Sequence, residues 1–196
     1  MNVPAATWVH RVRARMRLAL GAEARTIEWR VVRPGEDGAP WGEVGPAAEP
    51  LREHAIHLAE DLAQAKPGLV VFAGHAPTRW HDLMDVVEIF RIAGAAVWLV
   101  TGPQVFNPQS APIIAYHFTR IRLVLPASPS EDELRRVRLL TGLWPRGPVD
   151  AILPANAVDG VRRELRAAGV ARVIVGSGVP RAKTIVHADL RVEAFR

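Results

Sequence analysis

Six short runs of β-branched and apolar residues recur along the chain, and segments with helical periodicity lie between them. From the second run to the sixth, the midpoints are roughly 25 residues apart, a normal length for a right-handed βα crossover. Four of the runs are apolar without alternation, which is typical of parallel strands covered on both faces. The runs are Ile27 to Val32, Leu69 to Ala73, Ala96 to Val100, Ile121 to Leu125, Val149 to Leu153 and Arg172 to Val175.

The length of 196 residues limits the choice among βα folds. A closed eight-stranded barrel needs roughly 250 residues, so a partial six-stranded (β/α) barrel and an open doubly wound sheet remain. Periodicity alone does not separate the two. We predict the partial barrel, as a single α/β domain over residues 25–196 that follows a separate basic helix in residues 1–24.

Several helix ends are marked by capping residues. Ser128 is the predicted N-cap of one helix, with Pro129 at the first helical position and Glu131 three residues after the cap. Gly142 is expected at the left-handed C-terminal cap of that helix, and Gly169 at the end of the next one. These signals support the alternation of strands and helices.

The chain contains no cysteine. This excludes disulfides, zinc ribbons, thiol catalysis and cysteine-ligated iron–sulfur clusters within these residues. No serine lies in the Gly-x-Ser-x-Gly elbow of the α/β-hydrolases. No segment approaches the roughly 20 apolar residues of a membrane span, and no signal-peptide pattern follows the basic start, so we expect a cytoplasmic protein without a membrane partner.

Candidate ligand-binding residues follow the predicted strands, because βα folds place their sites at the carboxyl ends of strands. His75, His81 and Asp82 could form a metal or acid–base cluster, against the alternative of solvated loop side chains. The segment 176–178 could hold a phosphate through backbone N–H groups, against the alternative of a tight turn without ligand. The full set is Gly74, His75, His81, Asp82, Thr101, Gly102, Asn156, Gly176, Ser177 and Gly178.

A second histidine pair, His54 and His57, is spaced by three residues on the helix predicted from Leu51 to Gln64. One metal ion could bind both rings, but His54 borders the apolar stripe of that helix. A packed, hydrogen-bonded histidine is therefore the preferred interpretation, and we assign no metal ligands.

Two consecutive βα units carry short motifs where their strands end, and in the first of them Val70 to Leu83 contains Gly74-His75-Ala76-Pro77 and then Asp82-Leu83. This pattern resembles the radical S-adenosylmethionine family, in which the second strand ends in Gly-Gly-Glu-Pro before an Asp-Leu helix start. The third strand of the family runs into Thr-Asn-Gly, and here Val97 to Val100 runs into Thr101-Gly102. A weaker likeness, in the family's order and spacing, covers about residues 27 to 176. The resemblance implies a partial (β/α)6 barrel.

The chain also departs from that family at its cofactor motifs. Family members carry a Cys-x3-Cys-x2-Cys loop after the first strand, which holds a 4Fe-4S cluster, and here the residues from Pro34 to Glu43 stand there without a thiolate. Reductive cleavage of S-adenosylmethionine needs that electron donor. His75 replaces the glutamate of the Gly-Gly-Glu element, and Thr101-Gly102-Pro103 lacks the family's asparagine. The resemblance therefore implies a degenerate member without an iron–sulfur cofactor, whose S-adenosylmethionine site has decayed.

Residues 1–33 contain seven arginines and two glutamates. Their net charge of +5 equals the net charge of the whole chain. An apolar stripe spaced by four residues is flanked there by arginines, and the predicted docking residues are Trp8, Arg11, Val12, Arg13, Arg15, Met16, Arg17 and Leu20. Three interpretations compete: a helix packed on the barrel, a helix that docks on an acidic protein, and nucleic-acid binding. Nucleic acid is least favoured, because no stacking motif accompanies the arginines and the rest of the chain is neutral.

These observations predict a non-catalytic, radical-SAM-like pseudoenzyme that forms a heterodimer with another protein. The expected partner is an active radical enzyme or a precursor peptide in a maturation or biosynthetic pathway. One alternative is a small (β/α) barrel enzyme that uses His75, His81 and Asp82 around a phosphate or metal ligand. A second alternative is a nucleic-acid-binding protein that uses the arginine helix.

Overall fold

The computed structural model describes residues 26–31, 52–74, 77–145, 147–157, 159–176, 182, 184–187, 190 and 192–194. Its strands are β1 (Thr26–Arg30), β2 (Leu69–Ala73), β3 (Ala96–Thr101), β4 (Arg120–Val124), β5 (Val149–Leu153), β6 (Arg172–Val175), β7 (Thr184–Val186) and β8 (Val192–Ala194). Its helices are α1 (Arg52–Ala63), α2 (Leu83–Ile92), α3 (Ser110–His117), α4 (Glu131–Leu143) and α5 (Asp159–Ala167). None of the helices in these ranges is long and apolar enough to cross a lipid bilayer.

The strands form one open sheet in the order β6-β5-β4-β3-β2-β1-β7-β8, parallel throughout except for the antiparallel pair β7–β8. From β1 to β6 every crossover moves one strand in the same direction, so right-handed connections place the helices on one face. A doubly wound sheet instead reverses direction and carries helices on both faces. The predicted partial barrel is confirmed, and the doubly wound alternative is wrong.

All six predicted strands are present, and each begins within one residue of its predicted start. The predicted total of six was too low, because β7 and β8 extend the sheet beyond β1. Each of these two strands has three residues, which is too short for a periodic pattern to identify.

The main hydrophobic core lies between the helices and the sheet face that they cover. Trp29, Phe72 and Phe90 meet there, with ring centroids 5.8 Å apart for Trp29–Phe72 and 6.2 Å apart for Phe72–Phe90. The opposite face of the sheet, called the inner face below, carries a smaller cluster of Val71, Ala73, Val100 and Ile152. Burial on both faces explains why β2 and β3 show no alternation of apolar and charged residues.

The observed helix ends correct two of the predicted caps. Ser130, and not Ser128, is the N-cap of α4, where its Oγ accepts from the N–H of Glu133 and its own N–H donates to Glu133 Oε2. Gly142 lies inside α4, since the N–H of Trp144 donates to Leu140 O and continues the helical series past it.

The sequence of this segment contains the Ser-x-x-Glu pattern twice, at residues 128–131 and 130–133. The second copy is used because it places three acidic residues in the first turn, near the positive end of the helix dipole. The prediction for Gly169 is confirmed: it follows α5 with a φ of +86°.

Candidate functional site

The carboxyl ends of β1, β2 and β3 lie side by side, at what we call the carboxyl-terminal edge of the sheet. The N–H of Val31 donates to Ala73 O at 2.8 Å, and the N–H of Gly74 donates to Val100 O at 3.1 Å. A Cβ atom at position 74 would lie 2.0 Å from Val31 O, a backbone atom that has no room to move. Glycine at this position therefore allows the close approach of β1 and β2.

Thr101 and Gly102 lie beside this junction at the end of β3. Thr101 is fully buried, and Gly102 precedes a 3₁₀ turn over Pro103–Val105. The structure therefore brings together three of the ten predicted ligand-binding residues, at positions 74, 101 and 102.

His81 and Asp82 lie at the start of α2 and have different surroundings. His81 is exposed, whereas Oδ1 of Asp82 is 3.4 Å from Arg52 Nε on α1. The same guanidinium donates to Asp85 Oδ2 at 2.7 Å, so these groups link α1 to α2. In the described ranges, no three histidine or acidic side chains are grouped as metal ligands.

The remaining predicted mouth residues follow β5 and β6. Asn156 is exposed in the turn after β5. Gly176 has a φ of +105°, a conformation that favours glycine, and its N–H donates to Leu153 O at 3.0 Å. His75, Ser177 and Gly178 lie outside the described residues. Ligand binding at the whole set remains a prediction.

A cavity of about 380 Å³ opens beside the same edge, between the loops that follow β2 and β3. Its lining residues are Thr78, Met84, Gln104, Val105, Asn107, Ser110, Ile113 and Ile114. Oδ1 of Asn107 accepts from the N–H of Ser110, and Ser110 Oγ donates to Val105 O, so these polar groups serve the start of α3. None of these described lining residues is charged, so they offer no counter-charge to a phosphate or a metal ion.

A partly buried cluster of charged side chains lies on the inner face, and the sequence analysis missed it. Arg120 and Arg122 of β4, Asp150 of β5 and Arg172 of β6 form what we call the arginine cluster. Oδ2 of Asp150 lies 2.7 Å from Arg120 Nη1, 3.1 Å from Arg172 Nη2 and 3.4 Å from Arg122 Nε. One carboxylate thus contacts three guanidinium groups.

Strand register assembles this cluster. Asp150 pairs with Arg122 on one side and with Arg172 on the other, so the three side chains form a row across β4, β5 and β6. Trp98 of β3, which pairs with Arg120, lies next to this row. The Cζ atoms of Arg122 and Arg120 are 4.3 Å and 5.3 Å from its ring centroid, which is cation–π geometry.

The electrostatics of the cluster follow from burial and charge. Asp150 is fully buried, and burial by itself raises the pKa of a carboxyl group, but hydrogen bonds and charges from Arg172 and Arg120 outweigh it and lower the pKa of Asp150. Burial lowers the pKa of Arg122, although Asp150 opposes that shift. Arginine stays protonated under physiological conditions, so the four side chains sum to a charge of +2.

Two features of the sequence could have revealed the cluster. Arg122 lies in the strand predicted from Ile121 to Leu125, and Arg120 immediately precedes that strand; a strand extended by one residue places both on one face. Asp150 interrupts an otherwise apolar strand, and a carboxylate in a buried strand needs a cationic partner. The net charge gave no indication of this site, because the positive and negative charges of residues 34–196 cancel.

The other predicted sites are only partly described. Nδ1 of His57 lies 3.3 Å from Glu60 Oε2 on the surface of α1, and His54 is half-buried on the same helix. The basic helix predicted in residues 1–24 lies outside the described residues, as do its docking residues Trp8, Arg11, Val12, Arg13, Arg15, Met16, Arg17 and Leu20.

Comparison with solved structures relates this fold to SuiB from Streptococcus suis, a radical S-adenosylmethionine enzyme. The TM-score is 0.59 against SuiB bound to S-adenosylmethionine, with 11% identity over 89% of this chain and 44% of SuiB. It is 0.61 against SuiB bound to the precursor peptide SuiA, with 11% identity over 89% of this chain and 45% of SuiB. A further SuiB structure gives 0.57, with 13% identity over 93% of this chain and 48% of SuiB.

The chain spans less than half the length of the SuiB structures that it matches. No protein-family profile matches the chain, and no curated protein sequence does. At 11–13% identity the likeness concerns the fold alone. Together with the one-way order of β1 to β6, it shows that the chain has a radical S-adenosylmethionine-like partial barrel fold.

Proposed function

We propose that this chain is a non-catalytic, radical-SAM-like accessory protein that binds a partner polypeptide as a heterodimer. The observation that carries the proposal is the complete lack of cysteine in a chain with this fold. The segment between β1 and α1 stands where the resembled family holds its cluster, and it provides no thiolate. The available side chains therefore do not fit a cysteine-ligated 4Fe-4S cluster.

Loss of the electron donor removes the reductive reaction but leaves the surfaces of a barrel intact. A fold that no longer reacts with S-adenosylmethionine retains a function if it still binds another molecule. SuiB has been crystallised with the precursor peptide SuiA. By analogy, we propose a precursor peptide or an active radical enzyme as the partner of this chain, in the cytoplasm.

The small-barrel enzyme alternative has less support. Asp82, one of its three proposed groups, is near Arg52, and none of the described residues that line the cavity beside the strand ends is charged. Nucleic-acid binding rests on the predicted arginine helix alone.

Anaerobic reconstitution with iron and sulfide tests the first half of the proposal, with SuiB reconstituted in parallel as the positive control. We expect no charge-transfer absorbance, no stoichiometric iron or sulfide, and no cleavage of added S-adenosylmethionine. A stable cluster with cleavage of S-adenosylmethionine would overturn the non-catalytic assignment.

Co-expression tests the second half. The chain is produced together with a cysteine-containing radical enzyme or a short peptide encoded by a neighbouring gene, and the purified material is examined by analytical ultracentrifugation. A one-to-one complex is the expected result. A chain that sediments alone with every such neighbour contradicts the accessory role.

A further inference from the structure

The edge strand β6 has the properties of a peptide-docking strand. In the described part of the chain no strand pairs with it on the side away from β5. Arg172 and Val175 are exposed, and Val173 and Ile174 are partly exposed. An exposed apolar edge strand is a template for pairing with another extended chain.

Hydrogen bonds in the sheet show which amide groups of β6 point outward. Ile152 O accepts from the N–H of Leu125, on the β4 side, whereas Leu153 O accepts from the N–H of Gly176, on the β6 side. Because alternate residues of a strand direct their N–H and C=O groups to opposite sides, Ile174 and Arg172 face β5 like Gly176. Val173 and Val175 therefore direct their N–H and C=O groups to the open edge.

The side chains of β6 add charge and shape to this edge. Arg172 and Ile174 lie on the inner face, where Arg172 contacts Asp150 and Ile174 packs against the small apolar cluster. Arg172 shares that carboxylate with Arg120, and 55% of its side chain is exposed. No other carboxylate among the described residues contacts either guanidinium, so a carboxylate from outside would be attracted to this edge.

We propose that β6 binds an acidic, extended segment of the partner polypeptide by strand addition. This inference rests on the accessory function proposed above and identifies the chemistry of the partner. The segment places a glutamate or aspartate beside Arg172 and an apolar side chain beside Ile174, two positions apart, because alternate side chains of a strand share one face. A second copy of the chain is disfavoured, since it would bring another Arg172 to the same inner face.

The test starts from a display library of random linear heptapeptides, selected against the purified full chain. The selected peptides are synthesised with a fluorescent label, and their affinity is measured by fluorescence anisotropy. We expect enrichment of an acidic residue two positions from an apolar one. Changing the acidic residue of a selected peptide to its amide, or Arg172→Gln in the protein, is expected to weaken binding about tenfold.

Val173→Pro tests the backbone contribution directly. Proline removes the outward N–H and is tolerated where that group faces away from the sheet, so the β5–β6 pairing is retained. Val173→Ala is the matched control, because it shortens the side chain but keeps the N–H. We expect Val173→Pro to abolish binding and Val173→Ala to retain it. If Val173→Pro does not fold, Val175→Pro makes the same test at an exposed position.

Amide hydrogen exchange of the complex provides the positional readout: the N–H groups of Val173 and Val175 should become protected. Selection of no peptide, of peptides without acidic residues, or of peptides whose affinity Val173→Pro leaves unchanged would overturn the inference. So would dimerisation of the chain itself through β6. Peptide binding that is insensitive to proline at position 173 would refute the edge site but not the accessory function. Cluster uptake with S-adenosylmethionine cleavage would refute the non-catalytic accessory function but not peptide binding at β6.

Discussion

Asp150 is the residue on which the inner face depends. Its carboxylate is fully buried and is the shared partner of three arginines from two neighbouring strands. An exposed ion pair contributes little to stability, but removing one member of a buried pair leaves uncompensated charge in a poorly solvated place. Loss of the Asp150 carboxylate would therefore be costly because it would leave three arginines without this shared counter-charge.

Asp150→Asn is expected to lower the free energy of unfolding by about 3 kcal/mol, at the lower end of the range for broken buried pairs because Arg172 is half-exposed. Urea denaturation measures the change. Asp132→Asn is the matched control, since Asp132 accepts from Arg136 at 2.7 Å on the exposed surface of α4. We expect a clearly smaller loss there, and equal losses would contradict the assignment.

The same carboxylate predicts a pH dependence. The net effect of its surroundings lowers the pKa of Asp150 in the folded state, so the unfolded chain binds its proton more tightly. Its stabilising contribution is complete above the ordinary aspartate pKa of about 4 and is lost as the pH falls through the lower folded value. The stability difference between the native chain and Asp150→Asn should thus be constant near neutrality and shrink in acid, which denaturation curves at several pH values would measure. A difference that grows in acid would refute this assignment.

Helix α4 has two overlapping Ser-x-x-Glu patterns at its start, so the sequence allows two positions for the first residue of the helix. Ser128 and Ser130 each precede a glutamate by three residues, and only Ser130 makes the reciprocal bonds of a capping box. The glycine near the other end of the helix lies within it and has open space at its Cβ position. Substitutions at these positions test both differences from the predicted caps, through changes in the free energy of unfolding.

Ser130→Ala should lower the free energy of unfolding by about 1 kcal/mol, because it removes the acceptor of a backbone N–H at the helix start. Ser128→Ala should leave it almost unchanged. Thermal or urea denaturation of the two variants makes the comparison. If Ser128→Ala had the larger effect, the helix would begin two residues earlier than observed.

Gly142→Ala should raise the free energy of unfolding by up to about 1 kcal/mol, because alanine is the better residue in a helix interior. Gly169→Ala should lower it, since Gly169 has a φ of +86° and a Cβ there would approach Thr141 to 3.2 Å. Opposite signs in urea denaturation are the expected result. If both changes lowered the free energy of unfolding, the result would instead support the predicted position of Gly142 at the C-terminal cap.

At the scale of the whole molecule, the one-way order of β1 to β6 separates the two faces of the sheet. The helices cover one face with the main core, and the arginine cluster lies on the other. A positively charged inner face and an open β6 edge both suit an acidic partner. The basic helix predicted in residues 1–24 adds a second region with the same preference.

In a complex with such a partner, Trp8→Ala should weaken binding by about 2 kcal/mol and Arg13→Ala by much less, because apolar anchors control dissociation and peripheral charges mainly affect association rate. Surface-binding kinetics of both variants at two salt concentrations would measure this. The reverse ranking, with each lost arginine flattening the salt dependence, would instead indicate nucleic-acid binding.

Periodicity and composition are sufficient to predict the six main strands, their alternation with helices and the lack of thiolate ligands, because both are properties of the chain that do not depend on tertiary contacts. The sequence also placed Gly74, Thr101 and Gly102 at strand ends, where the structure brings them together. Strand order and register could be read only from the three-dimensional structure, because they depend on packing between residues far apart in the chain. Asp150 meets Arg120 and Arg172 across 30 and 22 residues, and the local patterns that mark each charged residue do not determine which of them become partners.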